Sequence, residues 1–195
     1  MKERLIIISD LWGREKSEWL INYTRILEAK FDIEFYDSCE LGEIDKTEYS
    51  QTNLHKQFIE GGIEKAVNKL IEIEKHSINI LAFSLGGTIA WKYGIRSGKI
   101  NSLACVSSTR LRKETERPNG SLKLFFGEND EFKPEMEWLE KMELEYKILL
   151  DKGHQVYCEP EFAKQLSEKI IKTTPQQCIT AITADSTTSE STRNC

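Results

Sequence analysis

Residues 79–97 read NILAFSLGGTIAWKYGIRS. The apolar run Ile80-Leu81-Ala82-Phe83 has the composition of a buried strand and stops at Ser84-Leu85-Gly86-Gly87, after which Thr88 to Tyr93 has helical spacing. A serine therefore sits at a corner between a strand and a helix. Ala82 and Gly86, two residues to either side of Ser84, are small. A sharp strand-to-helix turn requires this, because bulkier side chains there would collide across it.

Working outward, Leu5 to Ile8 is a continuous β-branched and leucine run, the mark of a strand buried on both faces of a parallel sheet. It exits through Ser9-Asp10-Leu11-Trp12-Gly13. From Glu15 to Ala29, residues Trp19, Leu20, Tyr23, Ile26 and Leu27 share one helical face. Phe31 to Tyr36 alternates as a second strand, and the polar stretch from there to about Asn53 reads as a long loop. A helix is expected from about Leu54 to Lys75, with Phe58, Ile63, Val67, Leu70 and Ile71 inward. Gly61-Gly62 kinks or interrupts it, since glycine costs about 1 kcal/mol against alanine in a helix interior.

Beyond the serine corner, Ile100–Val106, Leu122–Phe126 and Tyr146–Leu150 read as strands. Between the last two, a helix is expected over Lys133 to Met142 with Met136, Leu139 and Met142 inward. A final helix starts near Pro160, a residue favoured in a first turn, and buries Phe162, Leu166 and Ile170. Six strands alternating with helices predict an α/β protein: a mostly parallel six-stranded sheet with helices on both faces.

The bulk properties agree. A chain of 195 residues fits one domain. Five cysteines with no C-x-x-C pair argue against a disulfide framework and against a zinc site, and no other metal set stands out. The apolar start is too short for a signal peptide or a membrane span, so a cytoplasmic location is the expectation. A net charge of −5 argues against nucleic acid as the main partner, because phosphate binding needs a basic face. From Thr173 onward serine and threonine dominate, and residues 174–195 read as a flexible tail after a domain spanning 1–173.

In such a sheet, ligands bind where loops leave the carboxyl ends of the strands. Four chemically useful groups fall at those exits: Trp12, Ser84, Asp130 and His154. A serine hydroxyl becomes a nucleophile when imidazole takes its proton and a carboxylate fixes the imidazole's tautomer. The pentapeptide Ala82-Phe83-Ser84-Leu85-Gly86 resembles the nucleophile elbow of the α/β-hydrolases, with Ala82 for the first glycine of G-x-S-x-G. The chain order Ser, Asp, His is that family's order. The resemblance covers most of residues 5–172, through GEND at the acid, GH at the last strand's exit and SS after the strand that follows the elbow. It implies a three-layer α/β-hydrolase core.

The resemblance also implies roles: Ser84 as nucleophile, Asp130 as acid, His154 as general base. Glu128 in the same loop, and Asp151, compete with Asp130. Neither His55, which precedes or opens a helix, nor His76, which ends one, leaves a strand; both read as structural. The family's oxyanion hole uses the amide after the nucleophile, here Leu85, and one from the loop after the early strand. By alignment to His-Gly-x-Gly that second donor falls on Trp12 in Asp10-Leu11-Trp12-Gly13, with Leu11 as the alternative because Asp-Leu departs from His-Gly. The implied reaction is cleavage of a carboxylic ester or thioester through an acyl-enzyme, with no cofactor.

Many relatives insert a helical cap where this chain has only Ser107 to Gly120, too short for a lid. An open site suits the exposed ester of a larger or extended molecule. That connection carries Arg110, Arg112, Lys113 and Arg117. Arg110 and Arg112 are candidates for binding a carboxylate, a phosphate or an acidic carrier; interleaved as they are with Glu114 and Glu116, they also fit a solvated loop. VSSTR at 106–110 and the Trp-Gly loop are similar to carrier-protein methyl ester esterases of biotin synthesis, which usually have a cap. The expected substrate is thus a small-molecule or carrier-bound acyl ester. Acyl transfer or carrier thioester cleavage, and a catalytically silent binding domain, are the alternatives.

Overall fold

The computed structural model describes residues 2–173. Six strands, β1 (Glu3–Ile8), β2 (Phe31–Tyr36), β3 (Ile78–Phe83), β4 (Ile100–Val106), β5 (Ser121–Gly127) and β6 (Glu145–Leu149), form one sheet in the order β2-β1-β3-β4-β5-β6. Every neighbouring pair is parallel. The carboxyl-terminal halves of the central strands, Leu5–Ile8, Ile80–Phe83 and Leu103–Val106, are apolar because both faces are covered there. Ile6, Ile8, Ile80, Ala82 and Leu103 join one buried cluster, while Leu5, Ile7, Leu81 and Phe83 join the other.

Helices α1 (Ile21–Leu27) and α7 (Pro160–Thr173) cover the second cluster through Tyr23, Leu27, Phe162 and Leu166. The first is covered by α2 (Ser38–Leu41), α3 (Gln51–Gln57), α4 (Ile63–Ile73), α5 (Leu85–Ser97) and α6 (Met136–Lys141). The expected three layers are therefore present. The winding reverses between β1 and β3, which opens a crevice at their carboxyl ends.

Several local expectations are corrected. The polar stretch before Asn53 is not all loop: buried Asp37 caps α2 by accepting the Cys39 and Glu40 amides at 2.7 and 3.3 Å. The long helix begins at Gln51, where the Ser50 side chain caps it, and is divided at Phe58–Gly62 by Gly61 at φ +148°. That break is the expected glycine interruption. The segment 15–29 is helical only from Ile21 and is led by short 3₁₀ turns. Met136 is 47% exposed rather than inward, because α6 starts at that residue and turns Leu139 to the core.

A buried carboxylate ties the sheet to α4. Glu74, just past that helix, accepts from Arg4 Nη2 at 2.7 Å and Tyr36 Oη at 2.6 Å. Cys39, Cys105 and Cys158 are free thiols. Among the described residues, no helix is long and apolar enough to cross a membrane. The expected tail, 174–195, lies outside the described residues.

Candidate active site

Ser84 lies between β3 and α5 with φ +46° and ψ −113°, backbone that a serine rarely adopts and that costs about 1 to 3 kcal/mol. The surrounding packing holds it there. Its amide donates to Val106 O at the end of β4, at 2.8 Å. Gly86 and Gly87 show why small residues follow it. A Cβ on Gly86 would stand 2.2 Å from Ser9 O, and one on Gly87 would stand 1.8 Å from Ser108 Oγ. The first turn of α5 is thus wedged between the exits of β1 and β4. The neighbouring strand exits require glycine at both positions.

Three side chains from separate exits meet here. Ser84 Oγ lies 2.9 Å from His154 Nε2, and His154 Nδ1 lies 2.7 Å from Asp130 Oδ2. Asp130 is only 3% exposed, and its other oxygen accepts the Phe132 amide at 3.2 Å. The loops bearing Asp130 and His154 are laced together: Asn129 donates its amide to Lys152 O at 2.8 Å. A Cβ on Gly127 would come within 2.3 Å of that same carbonyl, which explains the glycine before the acid. Of the competing carboxylates, Glu128 accepts the Asp151 amide at 3.1 Å and Asp151 is exposed; neither contacts His154.

The first-strand exit differs from expectation. The Trp12 amide donates to Asp10 Oδ1 at 2.9 Å, so the position expected to bind an oxyanion is already engaged. The Leu11 amide has no acceptor among the described residues. Leu85, the first residue of α5, has no carbonyl partner within its helix, as the start of any helix requires. Asp10 is 2% exposed and also accepts from Tyr157 Oη at 3.0 Å. Burial pushes its carboxyl up to about 6, although the Trp12 amide and the Tyr157 hydroxyl both pull it down. Tyr157 in turn sets its ring edge-on to the His154 imidazole, with centroids 6.2 Å apart.

Leu11, Trp12, Ser84, Leu85 and His154 line one cleft of about 1090 Å³. Arg110 and Arg112 line it too, from the 3₁₀ turn Thr109–Lys113. Arg112 is partly committed, since its Nη1 donates to Thr109 O at 2.7 Å and Phe132 O at 3.3 Å. The opposite wall was not foreseen. Gln51, Thr52, His55 and Lys56 of α3 face the same cleft, so His55 is a wall residue and not only a structural one. Partial burial, then the charges of Arg110 and Lys113, push its imidazole below the ordinary value. Among the described residues no three His, Cys, Asp or Glu side chains cluster as metal ligands.

A parallel sheet wound in this order, with a strained serine at the β3–α5 corner, belongs to a known architectural class. No family model matches the chain, and no curated protein matches it in sequence. Solved structures do match. A Xanthomonas campestris protein assigned as a hydrolase of the α/β superfamily aligns with TM-score 0.65 and 14% identity, over 89% of this chain and all of that one. Est1E from Butyrivibrio proteoclasticus, solved with ferulic acid bound, aligns with TM-score 0.62 and 11% identity, over 88% and 89% of the two chains. Mouse α/β hydrolase domain-containing protein 10 gives 0.62 and 13%, over 88% and 90%. The chain has the α/β-hydrolase fold.

Proposed function

We propose that this protein is a serine hydrolase that cleaves a carboxylic ester or thioester through an acyl-enzyme. The observation that carries the reading is the continuous hydrogen-bonded relay from Ser84 Oγ through His154 to buried Asp130, at 2.9 and 2.7 Å. In this reading His154 Nε2 takes the Ser84 proton as Oγ attacks the carbonyl, and Asp130 holds Nδ1–H so that the tautomer is correct. The tetrahedral oxyanion is bound by the amides of Leu85 and Leu11. Leu11 takes the second place because Asp10 holds the Trp12 amide. His154 then protonates the leaving alcohol or thiol, water takes the same route in reverse, and the free acid departs from Ser84.

A cleft over which no cap folds among the described residues suits an extended acyl ester, either free or carried on another molecule. The second reading, a binding domain without activity, draws on Asp10: a carboxylate beside the oxyanion loop opposes negative charge there. Labelling with a fluorophosphonate probe separates the two. The wild type is expected to label at Ser84, and Ser84→Ala and His154→Ala are expected not to. A folded wild type that stays unlabelled refutes the hydrolase reading.

A further inference from the structure

Four cationic side chains line the cleft that holds Ser84: Lys56 from α3, and Arg110, Arg112 and Lys113 from the facing 3₁₀ turn. This is unexpected in a chain of net charge −5. The glutamates interleaved with the basic tract do not neutralise it. Glu114 turns to Lys92 of α5, at 3.4 Å, and neither it nor Glu116 lines the cleft. Among the described residues Arg110, Arg112 and Lys113 make no ion pair, and Lys56 reaches only Glu60, at 3.9 Å. Arg112 braces the turn by its bonds to Thr109 O and Phe132 O, leaving Arg110 and Lys113 presented from a fixed segment. The His55 imidazole on the facing wall is pushed down first by partial burial and then by the charges of these two; Glu131, an exposed carboxylate that also lines the cleft, pairs with none of the four cations among the described residues.

We propose that Arg110, Lys113, Lys56 and His55 form an anion subsite, and that the substrate's acyl chain ends in a carboxylate or phosphate remote from the ester. The proposal rests on the hydrolase reading for its placement relative to Ser84. Arg110 supplies a planar fork matched to two oxygens of either anion, and Lys113 and Lys56 supply point charges beside it. An anchor on the acyl side acts in both half-reactions, because the acyl group stays on Ser84 after the leaving group has gone. His55, Lys56 and Lys113 are exposed, so the attraction works through solvent and is screened by salt.

The test compares three p-nitrophenyl esters of equal chain length, whose acyl groups end in methyl, carboxylate or phosphate. Wild type is expected to show kcat/KM about tenfold higher or more for an anionic ester than for the methyl-ended one, and whichever of the two anionic esters leads identifies the source of the charge. In Arg110→Gln/Lys113→Gln, and in the charge-reversed Lys113→Glu, the ratio of anionic to neutral ester is expected to fall towards one. Raising salt from 50 to 500 mM is expected to shrink it in wild type. Equal rates on all three esters, or a preference that survives the substitutions, overturn the subsite while leaving the hydrolase reading intact. If no ester is cleaved and the fluorophosphonate does not label, the hydrolase reading fails instead. Calorimetric titration with adipate and with inorganic phosphate then decides the subsite alone: binding lost in the double variant upholds it, and no binding by wild type overturns it.

Discussion

Replacing Asp10 by Asn is expected to stabilise the protein at neutral pH. Asp10 is buried, its carboxyl lies at about 6 against 3.8 for a free aspartate, and burial is the main cause; Asp37 adds to the rise and the His154 charge opposes it. The folded state therefore binds the Asp10 proton more tightly than the unfolded state. Stability from this residue falls as pH rises from about 4 to about 6, and the full cost at pH 7.5 is about 3 kcal/mol. Asparagine is isosteric and carries no charge to desolvate. Its oxygen can accept the Trp12 amide and its nitrogen can donate to Tyr157 Oη, so neither partner is stranded. Urea unfolding of both proteins at a series of pH values isolates the effect, because every other titrating group cancels in the difference. Asp10→Asn is expected to lead by about 3 kcal/mol at pH 7.5, near 1 M in urea midpoint, and by only about 1 kcal/mol at pH 4.5. A difference that does not change with pH, or a wild type that is the more stable at pH 7.5, refutes the reasoning.

Three further outcomes follow from the packing. Asp130→Asn should leave the fold intact, keep the bond to the Phe132 amide and lower kcat by about 10⁴-fold, since an amide at Nδ1 enforces the wrong imidazole tautomer; activity within tenfold of wild type would exclude that role. Gly86→Ala is expected to cost more than about 4 kcal/mol through the clash with Ser9 O, whereas Gly98→Ala, at φ +65° with open space around it, should cost about 1 kcal/mol; urea midpoints give the ranking, and equal losses would contradict it. Arg4→Met strands the buried Glu74 carboxylate at a cost of about 3 kcal/mol in urea unfolding. Burial tends to raise the Glu74 carboxyl, but its bonds to Arg4 and Tyr36 outweigh this and hold it lowered; without Arg4 burial raises it, so the Arg4 penalty should be largest at neutral pH and shrink as acid protonates Glu74.

Much of this architecture was legible in the residues. Runs such as Leu5–Ile8 and Ile80–Phe83 can only be strands covered on both sides, and the serine between an apolar run and a helical face marks the β3–α5 corner. His154 and Asp130 were legible in position, as polar groups past the strands β5 and β6 whose exits a parallel sheet brings to one edge. What was hidden depends on contacts across the sequence. Nothing near Gln51–Lys56 shows that α3 borders the cleft, because that follows from the Gly61 break and from packing on the far side of the sheet. The Trp12 amide could not be separated from that of Leu11 by spacing alone. The choice turns on where the Asp10 side chain lies, and Tyr157, 147 positions later, helps to hold it there. In the basic tract charge was visible but not its pairing: the structure turns Glu114 towards Lys92 and pairs Arg117 with Glu143, and leaves Arg110 and Lys113 without an ion pair among the described residues.

The sheet order also governs how the chain meets its own synthesis. Leu5 pairs with Ile33 on one side and with Asn79 on the other, so β1 gains its second neighbour only after β3 has left the ribosome. At ordinary elongation rates the wait is on the order of 4 to 15 s. Throughout it Ile6, Ile7 and Ile8 keep one open edge, an apolar strand edge of the kind that invites aggregation. All five pairings are parallel and none can close as a hairpin, so the nascent chain has no local sheet contact with which to shield that edge. The strand that supports the elbow from below is thus the one most dependent on chaperones or on rapid completion of the chain.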